Sequence, residues 1–300
     1  AQAAMLAGKI KSPEGRDPRK DPAGVKARRD IVLRNMARNG WLNNRDLEQA
    51  RATPIELAPP RTASTPYTAP HFVELVKREA AGLSELGAPE GRANQIYNGS
   101  LVIKTTLDIR AFQAATEAVT EQLSAPGDPA TAVVTVEPGD GAIRNLFGGL
   151  TFDRQFDVAS QGYRQPGSSF KPFVYLAALQ AGIDPRSVMN ASSPMQLEYR
   201  GHRYTVNNYE GEGGATSTIE DALVQSINTV FAQLALEVQP ANVVKTAKDA
   251  GLNDDLDRDR NNPAVALGGI TKGVTPLEMA AAYATFAAKG VYAAPYSIAE

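Results

Sequence analysis

Ser168 stands three residues before Lys171 in the stretch YRQPGSSFKPFVYLAAL, residues 163–179. On a helix, residues three apart share a face, so the serine hydroxyl and the lysine amine can touch. A serine hydroxyl is a weak nucleophile until an adjacent group takes its proton. Lysine can take that proton only as the neutral amine, and at its ordinary pKa of about 10.4 roughly one lysine in 2,500 is neutral at pH 7. Burial, or a second cation nearby, has to lower that value by several units. A helix starting at the serine adds free backbone N–H groups that can steady a developing oxyanion. Gly167 permits a tight entry, and Pro172 is tolerated that early in a helix. The same residues also describe the start of an ordinary amphipathic helix, and alone they do not separate the two readings.

Farther along, DALVQSINTVFAQLAL (residues 221–236) holds the chain's only Ser-x-Asn, Ser226-Ile227-Asn228. Residues two apart diverge on a regular helix, so Ser226 and Asn228 can serve one site only if the helix breaks there. The apolar positions Ile219, Leu223, Ile227, Val230 and Leu234 run straight through, and this periodicity predicts an unbroken helix.

Other chemistries are poorly supplied. The chain has no cysteine, which excludes thiol catalysis, Cys-ligated zinc and disulfides. Its two histidines, His71 and His202, lie far apart without ligand spacing, so neither a metal site nor a Ser-His-Asp triad is expected, and no cofactor. A net charge of −2 carries no signature of a nucleic-acid partner. Hydrophobic content of 43% and charged content of 21% suit a folded chain with a real core. The longest apolar run, EMAAAYATFAA, is about half of a membrane-spanning length. Both ends read as cuts through a longer sequence.

The elements that must position these groups are read as follows. Residues 1–56 are helical and locally basic, with Val25, Ile31, Val32 and Met36 on an apolar face, Gly40 at the helix end, and Arg28, Arg29, Arg34 and Arg38 on a solvated face. LAPPRTASTPYTAP, residues 57–70, has the composition of an extended connector and marks the best domain boundary. A short helix follows, then a strand over SLVIKTTLD (residues 100–108) and a helix capped by Asp108. ATAVVTVEPGDGAIRNLFGG (residues 130–149) predicts a hairpin. Helices are expected over about 168–181, 218–236, 240–250 and 276–288, with Ser217/Glu220 and Thr275/Glu278 as start signals. Few strands and many helices give an α+β class, with a sheet that is incomplete within these 300 residues.

RQPGSSFKPFVYLAAL, ALVQSINTVFAQLA and GGITKGVTPLEMAAAYATFAAKGVYAAPYSI together closely resemble the transpeptidase domain of class A penicillin-binding proteins. AQAAMLAGKIKSP and RRDIVL are similar to the end of the family 51 peptidoglycan glycosyltransferase domain. The resemblance spans essentially the whole chain. It implies a glycosyltransferase remnant over 1–56, a linker over 57–99, and a penicillin-binding transpeptidase fold over 100–300, with helices around an antiparallel sheet. It implies Ser168 as the nucleophile attacking D-Ala-D-Ala, Lys171 as the base, Ser226 as a proton relay, and Asn228 as a hydrogen-bonding partner of the substrate peptide. The implied partners are peptidoglycan stem peptides and β-lactams. The implied location is the extracytoplasmic face of a bacterial membrane, through an anchor outside this chain. Two departures stand out. The family's Lys-Thr/Ser-Gly motif is absent and is expected past residue 300, since the Lys-Thr-Ala at 245–247 lies in a helical pattern. The glycosyltransferase's catalytic glutamates are also missing, which leaves Arg28 and Arg29 as remnants of a site.

Two alternatives remain beside the transpeptidase: a D,D-carboxypeptidase that passes the acyl group to water, and a non-catalytic module that binds muropeptide or β-lactam. Asn207, Asn208 and Tyr209 fall where the family brings a loop near its cleft, although a plain turn explains them as well. Trp41 reads as a packing residue, and NDDLDRDRNN (residues 253–262) as a solvated loop.

Overall fold

Capped, apolar-periodic segments become helices along most of the chain, and the computed structural model, which describes all residues except 13–14, 58–66, 124, 153–155 and 212–213, gathers them into two units. These are Ala1–Ser64 and Thr65–Glu300.

The first unit holds α1 (Gln2–Lys9), α2 (Pro22–Arg38) and α3 (Asn44–Ala52). Asp21 starts α2 by accepting from the Gly24 amide, with Pro22 in the first turn. The helix ends as expected at Gly40, through paired bonds from the Gly40 amide to the Ala37 carbonyl (3.0 Å) and from the Trp41 amide to the Met36 carbonyl (2.9 Å). The face of α2 that turns inward is not the one predicted. Val25, Arg29 and Leu33, four residues apart, form the buried stripe together with Asp30, and Ile31 is exposed. The cause is Arg29, which is 1% exposed rather than solvated. Its guanidinium donates to the Arg51 carbonyl at 2.8 Å, the Thr53 carbonyl at 2.7 Å and Asp30 at 3.1 Å, tying α2 to the end of α3. Trp41, read as a packing residue, is 74% exposed.

In the second unit, α4 (Pro70–Gly82) and α5 (Pro89–Asn98) fall inside the stretch expected to be a linker, 57–99. The unit begins at Thr65 because α4 is core: Phe72, Val76 and Ala80 are buried beside α6 (Ile109–Gln122), which Asp108 caps as predicted. Full burial of side chains such as Phe72 or Val76 is worth about 1.5–3 kcal/mol each, which makes α4 part of the fold. The hairpin also forms as read, β1 (Val133–Val136) against β2 (Ile143–Phe147), antiparallel with a bulge between Thr135 and Val136. The strand predicted over 100–108 shrinks to one bridge, Thr105 to Ile298, framed by bonds between Lys104 and Ala299 and Glu300.

The second core of this unit carries the motif residues. α7 (Val158–Gln161) and a 3-10 turn at Gly167–Phe170 lead into α8 (Lys171–Gln180). Two small antiparallel pairs follow, neither anticipated: β3 (Val188–Asn190) with β6 (Thr216–Thr218), and β4 (Met195–Tyr199) with β5 (His202–Val206). The second pair closes over a two-residue loop, Arg200–Gly201, with φ of 51° and 81° at its two positions, the primed-turn geometry that suits twisted strands. After β6 come α9 (Ile219–Val224), α10 (Asn228–Val238), α11 (Pro240–Asp249) and α12 (Pro276–Ala287). Thr218, not Ser217, caps α9, accepting from the Asp221 amide; α12 has the predicted capping box of Thr275 and Glu278. Phe170 of the 3-10 turn and Phe173 and Val174 of α8 interlock with Ile227, Phe231 and Leu234 around α10, and with Val243 and Val244 of α11.

Candidate active site

Ser168 sits in the 3-10 turn that feeds α8, and Lys171 is the first residue of that helix. The turn is pinned from two sides. The backbone of Gly268 lies against that of Gly167 so closely that a β-carbon on Gly268 would stand 2.3 Å from the Gly167 carbonyl oxygen, and its φ of +72° is itself a glycine conformation. From α12, the Tyr283 hydroxyl donates to the Ser169 carbonyl at 2.6 Å. Ser168 is left exposed while Lys171, pointing inward, is 1% exposed.

The helix predicted over 218–236 is broken between α9 and α10, where Gln225, Ser226 and Ile227 leave the helical path. Ser226 has φ +58°, a left-handed conformation that costs a non-glycine residue about 1–3 kcal/mol. That kink is what lets Ser226 and Asn228 face the same point. Uninterrupted apolar spacing did not reveal it, because both halves bury against one core: Ile219 and Ala222 before the break, Ile227, Val230 and Leu234 after it.

All four predicted residues meet at the Lys171 amine. Nζ lies 3.1 Å from Ser168 Oγ, 2.9 Å from Ser226 Oγ, 2.6 Å from the Ser226 carbonyl oxygen and 2.8 Å from Asn228 Oδ1. The Phe231 ring stands 5.6 Å away. With no carboxylate among its described partners, burial pushes Lys171 down to about 8. The partner set explains why a neutral amine is tolerated. A neutral lysine has two N–H donors and one lone pair; the Ser226 carbonyl and Asn228 Oδ1 take the donors. The lone pair is then left facing the two serine hydroxyls, each of which can give it a proton. An open cleft of about 380 Å³, lined by Ser168, Asn208, Tyr209 and residues 225–228, brings solvent and ligand to this point.

This buried amine shared by two serines is the arrangement of a serine acyl-transferase, and residues 131–300 match the family described as the penicillin binding protein transpeptidase domain. The chain belongs to that family. It is 30% identical over 293 residues to Penicillin-binding protein 2D of Bacillus subtilis, covering 97% of this chain and 41% of that protein. To Penicillin-binding protein 1A of Mycolicibacterium smegmatis it is 35% identical over 314 residues, covering 99% and 38%. The PonA1 protein from Mycobacterium tuberculosis in complex with penicillin V superposes with a TM-score of 0.67 at 32% identity, covering 76% of this chain and 61% of that one. The chain thus spans about two fifths of the length of the curated relatives it matches. Among the described residues, no helix is long and apolar enough to cross a membrane.

In this transpeptidase-family chain, the segment 207–209 is part of the site rather than a plain turn. The Asn207 carbonyl accepts from Asn228 Nδ2 at 2.9 Å. Asn208 is buried and its Oδ1 accepts from the Thr229 amide at 2.9 Å. Tyr209, 75% exposed, stands on the rim of the cleft. The signal that could have found the hairpin leading here is MQLEYRGHRYTV, residues 195–206: two alternating runs around Arg-Gly. The Lys-Thr-Ala of 245–247 is helical as predicted, with Lys245 paired to Asp249 and the Thr246 hydroxyl donating to Gln180 Oε1 at 2.8 Å.

Proposed function

We propose that this chain performs the acyl-transfer chemistry of a peptidoglycan D,D-transpeptidase. The observation that carries the reading is the Lys171 amine, buried and within hydrogen-bond distance of both serine hydroxyls. Ser168 Oγ attacks the carbonyl of the penultimate D-Ala of a stem peptide, and its proton passes to the neutral Lys171. As the tetrahedral intermediate collapses, the ester to Ser168 remains and the C–N bond to the terminal D-Ala breaks. That amine leaves with a proton delivered from Lys171 through Ser226 Oγ. Asn228 Nδ2 bonds the Asn207 carbonyl with one N–H and has a second for the substrate peptide. The backbone N–H of Ser168, in the 3-10 turn before α8, serves the oxyanion. An amine of a neighbouring stem peptide then attacks the ester, giving the cross-link and restoring Ser168. A β-lactam is opened by the same attack, but its broken C–N bond leaves no departing group, so the ester persists.

In the same reading, residues 1–56 are the end of a family 51 glycosyltransferase domain in a bifunctional parent that acts at the extracytoplasmic face of the membrane. Support comes from similarity to Penicillin-binding protein 1A of Mycolicibacterium smegmatis across 99% of the chain, well beyond residues 131–300. The transpeptidase unit is then drawn from Thr65 rather than from residue 100.

Intact-mass measurement after incubation with penicillin tests the chemistry, with Ser168→Ala alongside. One added penicillin that disappears in Ser168→Ala is the expected result. Penicillin bound without a mass gain points instead to the non-catalytic binding module. Incubation with a stem pentapeptide and an acceptor amine separates transfer to the amine from hydrolysis, the carboxypeptidase outcome.

A further inference from the structure

The break that makes the site also gives α10 a new N-terminus, whose amides need acceptors. Its own capping position is Ile227, whose side chain has no acceptor to offer and makes no cap bond. The acceptor comes from 21 residues upstream: Asn208 Oδ1 takes the Thr229 amide at 2.9 Å. Asn208 is in turn held on two further sides, its Nδ2 donating to the Ala191 carbonyl at 2.9 Å and its backbone amide to Ser193 Oγ at 2.9 Å. Next to it, the Asn207 carbonyl fixes the Asn228 amide so that Oδ1 turns toward Lys171. Asn208 touches neither Ser168 nor Lys171 by any of these bonds, yet it borders the turn whose strained residue, Ser226, presents two oxygens to the amine.

We propose that Asn208 is a positioning residue for acyl transfer: it caps α10 from outside the helix and thereby holds the Ser226–Asn228 turn closed over the Lys171 amine. The alternative for the turn is to relax into continuous helix, since both halves already share one core and φ +58° at Ser226 opposes the kink. Loss of the cap then withdraws the Ser226 carbonyl and Asn228 Oδ1 from Lys171 and admits water. Among the described residues, the groups that face Lys171 are the Ser168 and Ser226 hydroxyls, the Ser226 carbonyl, the Asn228 amide and the Phe231 ring, none of them charged. Its proton affinity therefore reports the closure of the turn and little else.

The proposal rests on the acyl-transfer reading, and its test has a readout that does not depend on acylation. In wild type, Asn208→Ala and Asn208→Asp, hydrogen exchange is followed at Thr229, and the protonation of Lys171 by competitive acetylation against pH, read by mass spectrometry. Asn208→Ala is expected to speed Thr229 exchange at least tenfold and to move the Lys171 midpoint up from about 8 toward the ordinary value of about 10.4, a loss of up to roughly 200-fold in neutral amine at pH 7. Asn208→Asp keeps the acceptor for Thr229, so exchange there stays slow; this variant serves if the alanine variant does not fold. Faster exchange with an unmoved Lys171 midpoint makes the cap merely structural and overturns the proposal, as does unchanged exchange in Asn208→Ala or fast exchange in Asn208→Asp. A wild-type chain that shows the expected exchange and midpoint but takes no penicillin at Ser168 defeats the acyl-transfer reading and leaves the positioning role standing.

Discussion

Acylation of Ser168 is expected to track the neutral fraction of Lys171, and the buried amine makes that dependence unusual in a way that can be measured. With a value of about 8, the neutral fraction is about 1% at pH 6, about 9% at pH 7, 50% near pH 8 and about 90% at pH 9. The rate of acylation by a penicillin, taken well below saturation, should therefore climb about 90-fold from pH 6 to pH 9 and then level off. An ordinary lysine near 10.4 gives a different curve: about 1,000-fold over the same interval, with a further rise of about sevenfold from pH 9 to pH 10. Rates are read by quenching and intact mass, with Ser168→Ala at each pH to subtract adventitious modification. The sign follows from burial. The charged form is the one that desolvation penalises, so the proton leaves at lower pH than in water. A rate that rises a further several-fold between pH 9 and pH 10 refutes the claim that Lys171 is depressed. A rate independent of pH refutes its role as base.

Three further outcomes follow from the same geometry. Between pH 7 and pH 10.5 the stability of wild type relative to Lys171→Met should rise by about 3 kcal/mol, because the unfolded chain holds the lysine proton through the window from about 8 to 10.4 in which the folded chain has lost it. Below about pH 7 both states carry the proton and the difference is flat; urea melts at several pH values measure it, and a constant difference throughout rejects the shift. Ser226→Gly should be more stable than Ser226→Ala by about 1 kcal/mol, since both lack the hydroxyl and only glycine relieves φ +58°, with acylation impaired in both; equal stability means the kink stores no strain. Arg29→Ala should destabilise the first unit by about 3 kcal/mol, leaving the Arg51 and Thr53 carbonyls without the guanidinium and Asp30 with Lys26 alone. Hydrogen exchange at the amides of α2 follows the loss directly, and unchanged exchange there removes Arg29 as the tie.

What could be read in advance divides along a physical line. Ser168 and Lys171 were legible because residues three apart in a helical turn meet by local geometry, and the structure places their Oγ and Nζ atoms 3.1 Å apart. Ser226 and Asn228 were legible as residue types but not as a pair, since hydrophobic periodicity reports which face is buried and says nothing about a kink that keeps the same face buried on both sides. Arg29 was misplaced for a related reason: charge suggests a solvated face, and its burial is offset by Asp30 beside it together with two distant carbonyls, at Arg51 and Thr53, that no local pattern reveals. Asn208 was the least visible of all, because its partner amide lies 21 residues away and no local pattern marks an acceptor borrowed across the fold. Within the site, the residues hardest to read are thus Ser226 and Asn208, which lie at the break between α9 and α10. A chain selected only for stability would straighten 219–238 and cap nothing at Thr229. That this one instead bends at a serine, carries an isoleucine where a cap belongs and buries an asparagine to replace it shows local consistency surrendered at one place, where two serines must reach one amine.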